Sequence, residues 1–151
     1  MVENIDYNVG RVMQRLSDLQ LDDNTIVMYL SDNGPNGWRW NGGMRGKKGS
    51  TDEGGVRSPL IMQWKNKLPK GKRIKEVASA IDLLPTLSEL AQIPLNTLKP
   101  LDGKSLKPLL LEEEVNWQPR VVYNHWRSGT SIRTQEYRLD SEGRLYDMTT
   151  D

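Results

Sequence analysis

Thr25-Ile26-Val27-Met28-Tyr29-Leu30-Ser31-Asp32-Asn33-Gly34 is the stretch that decides the fold. Residues 25–31 form a nearly continuous apolar run with β-branched members. Such a run reads as a central strand covered on both faces, as in a parallel sheet. Upstream, Val2, Ile5, Val9, Val12, Met13, Leu16 and Leu19 recur at spacings of three and four. That spacing predicts an amphipathic helix, closed by the polar turn residues Leu21-Asp22-Asp23-Asn24. A helix, a short turn and a buried strand make half of a βαβ unit, so the fold class is α/β.

Downstream of the strand the pattern stops. Residues 32–55 have no helical or strand period, and eight of the 13 glycines lie there: 34, 37, 42, 43, 46, 49, 54 and 55. A long connection of this kind inside a compact domain is usually functional or disordered. Trp38 and Trp40 within it argue against simple disorder. Pro59 to Trp64 reads as a second strand, and Lys65 to Lys75 as a solvated basic connector. Residues 82–92 read as a helix, with Asp82 as the expected N-cap and Pro85 in the first turn. Residues 105–111 read as a short helix, and Glu112-Glu113-Glu114 as a charged surface run. Residues 120–126, 130–134, 136–140 and 144–148 are short alternating segments divided by turn residues, which predicts a small antiparallel sheet.

Composition narrows the function. The 151 residues contain no cysteine, which excludes disulfides, Cys-based zinc sites, iron–sulfur clusters and a thiol nucleophile. A net charge of +1 gives no electrostatic footprint for nucleic acid. The apolar runs are far shorter than the ~20 residues that cross a bilayer. No signal peptide opens the chain, and the helical stripe begins almost at Met1 without a capping run-in, as expected of a cut.

Two segments carry candidate chemistry. Ser31-Asp32-Asn33-Gly34 stands at the carboxyl end of a strand, where open α/β sheets bind ligands. The Asp32 carboxylate and Asn33 carbonyl are the oxygen donors that hard divalent cations prefer. An Asx turn ending the strand accounts for the same residues. Met44 to Pro59 interleaves Arg45, Lys47 and Lys48 with glycine in a loop leading to a strand. Cationic donors on a flexible backbone suit a tetrahedral oxyanion, sulfate or phosphate. The spacing is not that of a Walker A loop. A surface loop with scattered charge is the plain alternative. Glu53 and Arg57 read as a structural ion pair that locks the loop.

Together these segments resemble the formylglycine-dependent sulfatases of the alkaline-phosphatase-like superfamily. Ser31-Asp32-Asn33-Gly34 resembles the family's metal-binding turn. Lys48-Gly49-Ser50-Thr51-Asp52-Glu53-Gly54-Gly55-Val56-Arg57 resembles its Lys-Gly-Ser/Thr-x-x-Glu-Gly-Gly-x-Arg element. The resemblance continues at Ile81-Asp82-Leu83-Leu84-Pro85-Thr86-Leu87, at Leu101-Asp102-Gly103-Lys104-Ser105-Leu106 and at Leu145-Tyr146-Asp147, in the family's order.

The resemblance implies the C-terminal portion of a sulfatase: the last strands and helices of the mixed sheet, then a small antiparallel C-terminal sheet. Residues 1–100 would belong to the α/β domain and 101–151 to a small antiparallel α+β subdomain. Asp32 and Asn33 would bind a divalent cation, usually Ca²⁺ with Mg²⁺ as the alternative, and Lys48 would contact the substrate sulfate. Lys47 and Arg45 are secondary candidates for substrate binding. Trp38 and Trp40 are candidates to stack on a sugar or aryl group, or to form a small core of the loop. His125, the one histidine, reads as a sheet residue near the substrate mouth. The family's nucleophile, a hydrated formylglycine made within a C/S-x-P-x-R motif, has no counterpart in this sequence. The chain would therefore be inactive alone. The expected partner is a small-molecule or glycan sulfate ester. Self-association through an exposed sheet edge is a further expectation. A phosphodiesterase or phosphonate hydrolase of the same superfamily, and a non-catalytic binding module, are the alternative readings. Many sulfatases are exported, but the segment that would carry the signal is absent.

Overall fold

The computed structural model describes residues 1–113 and 116–150, and they form two compact units. Unit 1 holds residues 1–30 and 59–71; unit 2 holds residues 31–58 and everything from 72 onward. Both units are thus assembled from non-contiguous pieces, and residues 72–100 group with the C-terminal sheet.

In unit 1 the predicted amphipathic helix is α1 (Val2–Asp18). It closes one turn earlier than the polar run 21–24. Leu21 N–H donates to the Leu16 carbonyl at 2.9 Å and Gln20 N–H to that of Ser17 at 2.9 Å. This is a Schellman closure, with Gln20 at φ 56° in the left-handed position that glycine usually takes. A 3₁₀ turn (Asp22–Asn24) leads into β1 (Val27–Leu30), which pairs antiparallel with β2 (Leu60–Gln63) from Val27↔Gln63 to Leu30↔Leu60. The far end of β2 is clasped to the turn before β1. Lys65 Nζ lies 2.7 Å from Asp22 Oδ2, and Trp64 Nε1 donates to the Asp23 carbonyl at 3.0 Å.

The expectation of a parallel neighbour for this strand is corrected for the pair the structure describes. Among the described residues β1 has one partner, and that partner runs antiparallel. The physical reason is the connection. A parallel pair needs a crossover, usually a full helix. Residues 31–58 contain a single turn of helix, α2 (Glu53–Val56), and their ends are bonded to each other through Gly34 N–H and the Gly55 carbonyl at 2.9 Å. A connection closed in this way acts as a long hairpin loop. No residue of α1 is buried, and Ile61 is 62% exposed.

Unit 2 contains the loop 31–58, a 3₁₀ turn (Ala80–Asp82), α3 (Leu83–Leu90), α4 (Lys107–Leu110) and a four-stranded antiparallel sheet. Its strands are β3 (Val122–Trp126), β4 (Gly129–Arg133), β5 (Tyr137–Leu139) and β6 (Leu145–Asp147), in that spatial order. All four match the alternating segments of the sequence. Glu114, part of the predicted acidic run, lies outside the described residues.

The interior of this unit is more polar than apolar. Its buried apolar residues are Leu90, Leu106 and Val122; beside them lie Thr51, Asp82, Thr86, Ser88, Ser131, Arg138 and Asp140. Buried polar groups stabilise a fold only when their hydrogen bonds are made. Asp82 meets that condition. It accepts from Ser79 N–H and Lys104 N–H at 2.8 Å each, and from Arg120 at 2.6 Å. Asp82 is the N-cap residue of α3, as the sequence predicts, but its side chain makes no bond to that helix. Its carboxylate instead closes a capping box with Ser79 one turn earlier and ties the 101–106 segment to the helix. Thr86 completes the join, donating to the Asp82 carbonyl at 2.6 Å and accepting from Leu106 N–H at 2.8 Å.

Candidate functional site

The turn at Asp32-Asn33-Gly34 and the loop at 45–55 are fastened to each other by their backbones. Gly34 N–H bonds the Gly55 carbonyl, and Lys48 N–H donates to the Pro35 carbonyl at 3.0 Å. Glycine is required at the contact. A Cβ on Gly34 would collide with the Gly54 carbonyl group, its carbon only 2.8 Å away. A Cβ on Gly54 would lie 2.5 Å from Asn41 Nδ2 and 2.6 Å from the Gly46 carbonyl oxygen. Gly54 N–H donates to the Arg45 carbonyl at 2.7 Å, and Ser50 N–H to that of Lys47 at 3.0 Å. Asn41 Nδ2 bonds the Met44 and Gly46 carbonyls at 2.8 and 3.0 Å. The segment without a period is therefore ordered by backbone and amide hydrogen bonds rather than by a regular element.

The sheet holds this loop from the other side. The Thr51 carbonyl accepts from Ser131 Oγ at 2.7 Å and from the buried Arg138 guanidinium. Arg138 also pairs with Glu53 at 2.8 Å, and Arg133 lies 3.8 Å from the same carboxylate oxygen. Arg57 is the third cation at Glu53, at 3.4 Å and largely exposed. The Glu53–Arg57 pair read from the sequence is present, but Arg138 is the closer and more buried partner. The sequence signal for Arg138 is its place in the middle of the short strand β5, Tyr137–Leu139.

A second clamp begins at Arg45. Its guanidinium donates to the Tyr146 hydroxyl at 2.8 Å and lies 3.4 Å from Asp140, 3.5 Å from Glu142 and 3.9 Å from Asp52. Asp140 is nearly inaccessible. Burial by itself pushes its carboxyl up. The Arg144 N–H and guanidinium, the Glu142 N–H and the Tyr146 hydroxyl outweigh that and hold it well below the usual carboxylate range.

The sequence-predicted residues divide as follows. Asp32 is exposed and Asn33 half-buried, and neither side chain has a hydrogen-bond partner among the described residues. Their oxygens are thus available as hard donors, although no group of three or more His, Cys, Asp or Glu suited to a metal occurs among the described residues. Lys48 is exposed on the loop adjoining them. Lys47 stacks its ammonium 4.5 Å from the centre of the Trp38 ring. Trp38 and Trp40 are 85% and 87% exposed, so they do not form a small core of the loop. His125 Nδ1 is 2.8 Å from Thr130 Oγ1 in the β3–β4 hairpin. Arg45 is taken up by the acidic cluster and Tyr146.

The geometry thus fastens an oxygen-donor turn to a cationic loop. The comparisons with known proteins give the family. The family model described as Sulfatase matches residues 1–93. Human (Homo sapiens) arylsulfatase A is 43% identical over 158 residues, covering 97% of this chain and 31% of that protein. Mouse (Mus musculus) steryl-sulfatase is 33% identical over 150 residues, covering 87% of this chain and 24% of that protein. Among solved structures, Ps i-CgsB in complex with k-i-k-neocarrahexaose matches with a TM-score of 0.85 at 30% identity, over 100% of this chain and 36% of that one. BT4656 in complex with its substrate D-glucosamine-2-N,6-O-disulfate matches with a TM-score of 0.72 at 28% identity, over 99% and 33%. The chain belongs to the sulfatase family, with the fold of the corresponding part of its alkaline-phosphatase-like members. It spans about a quarter to a third of the length of these two curated relatives. No helix among the described residues is long and apolar enough to cross a membrane.

Proposed function

We propose that the whole protein hydrolyses sulfate esters and that this chain supplies two parts of the site. Asp32 and Asn33 offer oxygen donors to a divalent cation, Ca²⁺ first and Mg²⁺ second. Lys48 offers its ammonium to the sulfate group. The observation that carries this reading is the pair of backbone bonds, Gly34 to Gly55 and Lys48 to Pro35, that fastens the cationic loop to the oxygen-donor turn. A sulfate group would be held by the cation bound at such a turn together with the ammonium of the loop.

The cation, when bound, withdraws charge from the sulfate oxygens. Lys48 stabilises charge that develops on a nonbridging oxygen during transfer. Lys47, occupied with Trp38, is the second cationic candidate. Trp38 and Trp40 present exposed aromatic faces on the same loop, suited to stacking on a sugar or aryl ring. The glycan ligands of the two structural neighbours support a sulfated glycan as the substrate class for this chain. His125 keeps one ring nitrogen outside its bond to Thr130, free for a substrate group. Family membership suggests a formylglycine as well as the metal ion. No residue of this sequence lies in the motif from which formylglycine is made, so the chain alone is inactive. Exposed Leu30, Leu60 and Ile61 support self-association of the isolated chain.

Turnover of a panel of aryl sulfates, sulfated sugars and phosphate esters by the whole protein, with and without Lys48→Ala, tests the reading. Sulfate ester turnover should fall by about 10²–10³ in the variant. Near-normal turnover overturns the role of Lys48, and preference for phosphate esters moves the chemistry to phosphoryl transfer. Tight binding of both Ca²⁺ and sulfated sugar by the 151-residue chain itself would favour a binding module instead.

A further inference from the structure

We infer that Arg45 is a positioning residue, one that sets the place of Lys48 by anchoring its loop to the C-terminal sheet. The inference rests on the sulfate-binding role proposed for Lys48 and assigns Arg45 away from direct substrate contact. Arg45 stands three residues before Lys48, and the backbone between them has little freedom. Its carbonyl is bonded to Gly54 N–H, the Lys47 carbonyl to Ser50 N–H, and Lys48 N–H to the Pro35 carbonyl. A displacement of Arg45 is therefore carried to Lys48.

The anchor at the other end is built and rigid. Asp140 Oδ1 accepts from the N–H groups of Glu142 and Arg144 at 2.9 Å each. Oδ2 accepts from Arg144 Nε at 2.8 Å and from the Tyr146 hydroxyl at 3.1 Å. The hydroxyl that donates to Asp140 accepts from Arg45 Nη1 at 2.8 Å. One tyrosine oxygen thus relays the loop cation to a carboxylate that three other donors have already fixed. A guanidinium with its donors directed at Tyr146, Asp140 and Glu142 has few left for a ligand. The geometry is that of a tether, not of a substrate hook.

Arg45 is half exposed, so its replacement leaves the fold in place. The ¹⁵N-labelled whole protein is compared as wild type, Arg45→Met, Arg45→Lys and Tyr146→Phe. Amide exchange is read at Lys48, Gly54 and, as a control, Ile132. Inorganic sulfate is titrated while the Lys48 side-chain signal is followed. Arg45→Met should speed exchange at Lys48 and Gly54 by about tenfold, leave Ile132 unchanged, and weaken the sulfate response at Lys48 several-fold. Arg45→Lys should recover part of both effects by restoring a cation to Asp140. Tyr146→Phe should produce a smaller change in the same direction. Unchanged exchange at Lys48 in Arg45→Met overturns the inference. Sulfate-induced shifts at the Arg45 guanidinium in the wild type, with exchange unaltered in Arg45→Met, would make Arg45 a ligand contact and also overturn it. Faster exchange without any sulfate response at wild-type Lys48 would leave the tether standing and remove the role proposed for Lys48.

Discussion

The backbone N–H of Lys48 donates to the carbonyl oxygen of Pro35 at 3.0 Å, which ties the cationic loop to the chain just past the Asp32-Asn33 turn. The register of this contact depends on residues with no side chain. Gly34→Ala would put a methyl group against the Gly54 carbonyl, where backbone rather than a flexible side chain must yield. Overpacking of this kind costs roughly 1–3 kcal/mol, sometimes more. Urea denaturation of the variant should show a loss at or above that range. An unchanged midpoint would mean that the loop has room which the geometry denies.

Neighbouring lysines should behave unequally. Lys47 is engaged with the Trp38 ring, whereas Lys48 is exposed beside the turn. In the whole protein, Lys47→Ala should lower sulfate ester turnover by less than about tenfold, against the 10²–10³ expected for removing a charge-stabilising donor at Lys48. Equal losses would erase the distinction between them.

Calcium binding should depend on the Asp32 carboxylate. Asp32→Ala removes the charged oxygen donor of the turn and leaves a neutral amide. Calorimetry on the whole protein should show a Ca²⁺ affinity at least tenfold weaker, with Asp32→Asn intermediate. Undiminished affinity would place the cation elsewhere.

Acid should loosen the clamp at Asp140. Its carboxyl in the folded chain titrates below the usual carboxylate range. The unfolded chain, with an ordinary value of about 3.9, therefore binds the proton first as the pH falls. The contribution of Asp140 to stability is complete above about pH 4 and declines below it. Thermal melts across that range should show a slope that flattens in Asp140→Asn. Parallel slopes in the two proteins would assign the acid sensitivity to other carboxylates.

Breaking the Asp82–Arg120 pair should be costly. Both side chains are buried and 2.6 Å apart. Arg120→Met leaves the Asp82 charge with two backbone donors and no cation, a change that typically costs about 3–5 kcal/mol. A loss below 1 kcal/mol in chemical denaturation would show that the two N–H bonds suffice.

Much of this fold was legible in local patterns. The stripe from Val2 to Leu19 gave α1, the run 25–31 gave β1, and the alternation after residue 120 gave all four strands of the C-terminal sheet. An apolar run carries no information about the direction of its partner, so the antiparallel pairing of β1 with β2 was not legible. The contents of the candidate site were legible through the Asp-Asn turn and the Lys-Gly-Ser-Thr-x-Glu-Gly-Gly element. What holds it was not. Glu53 with Arg138, and Arg45 with Asp140 and Tyr146, are pairs 85 to 101 residues apart, and no spacing rule reaches that far. Asp82 was recognised as a helix-start residue, but its buried bonds to Lys104 and Arg120 come from segments that only folding brings near.

The anchor at residue 51 has a consequence for how this site can diversify. The atom that Ser131 and Arg138 grip is a main-chain oxygen, which every amino acid carries. No substitution at position 51 deletes it. The grip is therefore blind to the loop's vocabulary. The exposed side chains of this loop, Trp38 and Trp40 with Lys47 beside them, can be exchanged to suit one ester or another while the same two residues of the sheet keep hold. Recognition and attachment are written in separate alphabets, so a lineage can revise the first without rewriting the second.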